Sequence, residues 1–201
     1  MVGLIALLTF LLLARAFRSL ILPLEAVVLN LLSIAAAWGI MVLVWQNGHG
    51  SEAIWGIEAT GSINVEAPIG LFAFLFGLSM DYQVFIISRM REAYDRTGST
   101  QTAVVEGIGR TGRLVTSAAL ILGLAFVALS ASPGTDIKIF ATALAAGILL
   151  DATIVRGALV PAVVAIVGRW NWWLPHWPAR LLRVEASPVQ PEPRTSGSSG
   201  A

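Results

Sequence analysis

Five runs of apolar residues divide this sequence, at 1–14, 20–45, 68–88, 114–131 and 137–167. A helix that crosses the hydrocarbon core of a bilayer needs about 20 predominantly apolar residues. The last four runs reach or approach that length. The first falls short, because fourteen residues rise only about 21 Å against a core of about 30 Å. Only 12% of the residues are charged and 56% are hydrophobic, where a soluble domain carries about 25% charged residues. Lipid is therefore the expected solvent. In hydrocarbon a helix satisfies its own backbone hydrogen bonds, so the fold class is all-α, a polytopic transmembrane bundle of about five spanning helices. The expected organisation is a transmembrane domain over 1–168, an interfacial exit segment over 169–186 and a disordered tail over 187–201.

The first run is not a secretory signal, since no basic residue precedes it and Arg15 and Arg18 follow it. It reads as a helix that has lost its beginning, so the chain is expected to be the C-terminal part of a longer protein. Arginine and lysine set the orientation. Arg15 and Arg18 lie between the first two runs, and Arg89, Arg91, Arg96, Arg110 and Arg113 follow the third. Arg169, Arg180, Arg183 and Arg194 mark the tail, whereas residues 46–67 hold Glu52, Glu58 and Glu66 with no Lys or Arg. Alternate connections are basic, which places the C-terminus in the cytoplasm and 46–67 outside. That external loop is rich in glycine and reads as irregular. Residues 100–109 read as a short interfacial helix capped by Thr100. Trp170, Trp172, Trp173 and Trp177 with Arg169 form an expected aromatic and basic collar where the last helix leaves the membrane.

Most chemistries are excluded. The net charge of +1 gives no reason to expect nucleic acid, and the absence of cysteine excludes disulfides and thiolate chemistry. His49 and His176 are isolated from each other, so no metal is expected. No phosphate-binding loop is present. The string GIGRTG at 107–112 imitates a dinucleotide fingerprint but follows no strand. Ser130 and Ser132 have no catalytic partners in view. No cofactor, no catalytic residue and no enzyme are expected.

What remains is charge in lipid. Asp81 lies about thirteen residues into the third run, where an ionised Asp costs about 2.5–3.5 kcal/mol on insertion scales. Carboxyl groups taken out of water take up protons more readily, which is what a proton carrier requires. Tyr82 follows it with a phenol that donates or accepts, and Gly77, one turn earlier, leaves room for a neighbouring helix. Asp151 and Arg156 lie inside the fifth run. Five residues amount to about 140° around an α-helix, so each is expected to face its own partner on another helix as a supporting intramembrane polar residue. Pro161 is expected to kink this helix. Asn30, Thr116 and Ser117 read as interhelical packing groups, and Glu25, beside Pro23 in the first turn of its helix, suits the helix dipole.

Several stretches together resemble the MMPL family, large mycobacterial-type membrane transporters of the RND superfamily. They are GLSMDYQVFIISRMREAYDRTG at 77–98, GRTGRLVTSAALI at 109–121, LLDATIVRGALVPA at 149–162, GRWNWWLP at 168–175 and RSLILPLEAVVLNLLS at 18–33. The resemblance implies a multi-pass protein of a bacterial plasma membrane with twelve spanning helices in two similar halves, each bearing an extracytoplasmic porter domain. This chain would supply the last five helices. It implies that Asp81 and Tyr82 relay protons opposite an equivalent pair in the other half, driving export of lipids or other hydrophobic molecules. The implied partners are membrane lipids, a hydrophobic substrate, protons and the missing N-terminal half, in cis or in trans. The alternative reading is a truncated, non-transporting membrane remnant or a scaffold subunit. Gln83 stands where many relatives carry Glu, and Glu25 where a basic residue is frequent.

Overall fold

The computed structural model describes residues 2–184 and Ser187. Apart from Ser187, the expected disordered tail lies outside the described residues. The chain is all-α. Helix α1 spans Val2–Phe17, α2 spans Ile21–Met41 and runs on through a π turn at Val42–Gln46, and α3 is the short Ser51–Trp55. Helix α4 spans Glu66–Thr97 and α5 spans Thr100–Leu129. Helix α6, Thr135–Leu150, continues into a π segment, Asp151–Leu159, then α7, Val160–Val167, and a 3-10 turn, Gly168–Trp172, before α8, His176–Leu182. Four continuous helical spans are long and apolar enough to cross a membrane: Ile21–Gln46, Glu66–Thr97, Thr100–Leu129 and Thr135–Trp172. Helix α1, with 16 residues, is apolar but shorter.

The helices outrun their apolar stretches. The arginines expected in a loop after the third run sit on helix instead. Only Gly98 and Ser99 separate α4 from α5. Gly98 takes φ +66° and its N–H closes on the Tyr94 carbonyl at 2.8 Å, the left-handed stop that glycine adopts without a Cβ penalty. Ser99 Oγ then accepts the Thr102 N–H at 3.3 Å and caps α5. Residues 100–109 are therefore the first turns of a long helix and not a separate interfacial one, and the cap is Ser99, not Thr100. Ser19 caps α2 in the same way, accepting N–H groups from Ile21 and Leu22.

Two compact units compose the chain. One gathers Met1–Val27, Val84–Thr111 and Pro161–Ala201. Its core holds Phe17, Leu22, Met90 and Trp172. Trp172 is 1% exposed, stacks on Tyr94 with centroids 4.1 Å apart, and donates its indole N–H to Thr100 Oγ1 at 3.0 Å. It is thus an internal anchor, not part of an interfacial collar. Trp170 and Trp177 are exposed as that collar requires. Arg91 donates to the Phe17 carbonyl at 3.1 Å, pairs with Asp95 at 2.9 Å and lies 5.8 Å from the Trp172 ring centre.

The other unit gathers Val28–Gln83 and Gly112–Val160. Small residues let its helices approach closely, as packing in lipid requires. A Cβ added at Gly147 would stand 2.6 Å from Leu75 Cδ1 and 3.0 Å from Ala37 Cβ. Trp45 is fully buried and donates to Thr142 Oγ1 at 2.8 Å. Asn30 donates to the Phe76 carbonyl at 3.4 Å, the interhelical role expected of it. Within the expected loop 46–67, residues 47–65 are irregular apart from α3, Gln46 ends the π turn and α4 already begins at Glu66.

Candidate functional site

The site is built on α4. Its buried side presents Leu75, Phe76, Ser79, Met80, Gln83 and Ile86. The opposite side presents Phe74, Gly77, Asp81, Val84, Phe85 and Ser88, all exposed. Asp81 therefore stands in the middle of an otherwise apolar or small stripe. Among the described residues it has no ion pair or hydrogen bond. Consecutive residues on a helix do not face each other, so Tyr82 points elsewhere, its ring centre 5.4 Å from the Arg156 guanidinium carbon. Gln83 is 5% exposed on the inward side, where an amide avoids the cost of burying the Glu that the resemblance makes common.

Arg156 organises the inward side. Its Nε donates to Asp151 Oδ2 at 2.7 Å, and its Nη2 donates to both the Ser79 carbonyl and Ser79 Oγ, the latter at 2.7 Å. The Arg156 and Asp151 side chains are 2% and 8% exposed. The two residues were expected to face apart, and this is corrected by the π segment. There each carbonyl takes the N–H five residues on, as Val160 N–H does with Val155 O, so residues five apart come onto the same side. Pro161 gives the reason for the irregularity. It has no N–H for the Gly157 carbonyl and its ring crowds that carbonyl. The wide segment ends at Leu159, two residues before Pro161, so the turn leading into the proline is already loosened.

Asp151 Oδ1 and Arg156 Nη1 are buried without a hydrogen-bond partner. Beside them is a cavity of about 10 Å³ lined by Ser79, Tyr82, Ala119 and Asp151. The ion pair and Ser79 thus form a buried polar cluster on the inward side of α4, with the Tyr82 ring against the Arg156 guanidinium. No group of three or more His, Cys, Asp or Glu side chains suited to a metal occurs among the described residues. Sequence reasoning named Asp81, Tyr82, Asp151 and Arg156. It missed Ser79, whose only signal was its position three residues before Tyr82 on the same helix face.

Comparison with known proteins agrees with this architecture. The chain is 45% identical over 166 residues to SCO6666, a membrane protein of Streptomyces coelicolor, covering 83% of this chain and 23% of that protein. It is 38% identical over 178 residues to the mycolic acid-containing lipids exporter MmpL11 of Mycolicibacterium smegmatis, covering 89% and 18%. It is 41% identical over 174 residues to the trehalose monomycolate exporter MmpL3 of Mycobacterium tuberculosis, covering 86% and 18%. The chain thus spans less than a quarter of the length of each of these relatives. The MMPL family model matches residues 1–191, and the chain belongs to the MMPL family.

Proposed function

We propose that this chain is the C-terminal membrane part of an exporter of lipids or other hydrophobic molecules, driven by the proton-motive force, with Asp81 and Tyr82 as its half of the proton relay. The observation that carries this reading is the placement of Asp81, an exposed carboxylate in an apolar stripe on a membrane-spanning helix. A carboxylate so costly in lipid calls for a proton or a facing polar partner. The matching half of the transporter, in the same polypeptide or in a separate chain, supplies that partner. The Tyr82 ring lies against the Arg156 guanidinium, which Asp151 and Ser79 in turn hold. Two relatives are named as exporters of mycolic acid-containing lipids and of trehalose monomycolate, which favours a hydrophobic cargo. One charge moved through 100 mV contributes about 2.3 kcal/mol, so one or two protons per cycle suffice for strong accumulation. The C-terminus is cytoplasmic and the membrane is the bacterial plasma membrane.

The test is export, or rescue of growth, by the full-length protein carrying Asp81→Asn. Transport is expected to fall to background while the protein remains in the membrane at normal abundance. Undiminished transport would remove the relay from the reading.

A further inference from the structure

We infer that one water molecule is bound between α4 and the π segment, where it accepts a hydrogen bond from the Ser79 hydroxyl and donates one to Asp151 Oδ1. The water closes a ring that fastens the two elements together. In that ring Asp151 Oδ2 accepts from Arg156 Nε at 2.7 Å, and Arg156 Nη2 donates to Ser79 Oγ at 2.7 Å. All three residues belong to the unit made of Val28–Gln83 and Gly112–Val160.

Donor and acceptor chemistry decides the occupant. A guanidinium only donates and a carboxylate only accepts. Ser79 Oγ takes its hydrogen bond from Arg156, so its own proton needs another acceptor, and it has none among the described residues. Asp151 Oδ1 is buried with no partner either. A buried polar group left unpaired is costly. Ser79 and Asp151 are only 5% and 6% exposed, so bulk solvent does not serve them. What joins them must accept at one end and donate at the other, as water does. Both residues line a cavity of about 10 Å³, and one water needs about 10–15 Å³ with two or more polar partners. Cavities that stay empty are apolar, whereas a carboxylate lines this one. Arg156 already neutralises Asp151, and hard cations take about six or more oxygen ligands, which this space does not offer. Tyr82 also lines the cavity, so the water lies beside the proposed relay, but its assignment does not rest on the relay.

The experiment is radiolytic labelling of the purified protein in lipid nanodiscs. A brief X-ray pulse turns water into hydroxyl radicals that oxidise the side chains beside it, and peptide mass mapping reads the sites. Leu75 and Ile148 line the cavity and are each 3% exposed. Leu71 and Ile139, on the same two helices, are 0% and 4% exposed and do not line it. Label at Leu75 and Ile148 is expected to exceed that at Leu71 and Ile139 about fivefold, because only the first two adjoin the water. After mixing with heavy-oxygen water just before the pulse, the label at Leu75 and Ile148 is expected to acquire the heavy isotope later than label at the exposed Val65, as a trapped molecule requires. Ala119→Val, which fills the cavity from α5, is expected to abolish the excess. Ser79→Ala removes the donor and is expected to lower it about threefold. Circular dichroism and gel filtration check the fold of both variants, and Ser79→Ala decides if the larger side chain at 119 is not tolerated. No excess at Leu75 and Ile148, an excess unchanged in either folded variant, or isotope uptake as fast as at Val65 would overturn the assignment.

Discussion

At the scale of single residues, the environment of the Asp151–Arg156 pair separates structure from function. Removing one partner of a buried ion pair strands the other and costs about 3–5 kcal/mol, whereas replacing both with apolar residues of similar volume is often neutral. Arg156→Met is therefore expected to lower the thermal midpoint sharply in detergent, and Asp151→Leu/Arg156→Met to restore most of it. If the cluster serves the proton relay through Tyr82, the double variant regains stability but not transport in the full-length protein. Regained transport would mean that the pair only holds helices together. The sequence made Asp81, Asp151 and Arg156 legible because charge in an apolar run is conspicuous whatever the fold. It did not reveal that Asp151 and Arg156 touch, because that contact depends on a backbone geometry that no side chain announces. Trp172 misled for a related reason. An indole near the end of a span suits a headgroup layer, and only Tyr94 and Thr100, distant in sequence, show that it is buried.

At the scale of elements, the close approach at Gly147 sets how α6 meets its neighbours in the same unit. Overpacking a filled contact typically costs 1–3 kcal/mol. Gly147→Val is expected to cost about that much, read as a lower thermal midpoint. Gly157→Ala, whose added Cβ would have only the Ala152 carbonyl at 3.6 Å within reach, is the control and is expected to change little. Both changes raise helix propensity, so equal losses in the two variants would mean that the close approach at Gly147 is not what sets the cost. Hydropathy located four of the long helices but not their ends, since it reports where lipid stops and not where helix stops. Helix α4 continues to Thr97 on Arg89, Arg91 and Arg96, supported by pairs such as Arg89 with Glu92 at 2.8 Å and Arg96 with Glu106 at 2.5 Å.

At the scale of the whole molecule, the alternation of basic and acidic connections carries the proposed orientation. The absence of cysteine makes it simple to check. Glu58→Cys is expected to react with a membrane-impermeant maleimide in intact cells, and Arg110→Cys only after lysis, both residues being exposed. The reverse pattern would invert the topology. One consequence of the π segment also belongs to this scale. It acts as a phase shift: residues of the Thr135–Trp172 span before and after it obey two different helical wheels, and no single projection assigns both faces correctly. A one-residue deletion at 152–155 would leave Asp151 and Arg156 four apart, a spacing that ordinary α geometry also brings together. The ion pair could survive, but everything beyond would turn by about 100°. The length of this span is therefore constrained more tightly than its composition, even though most of it is plain hydrocarbon.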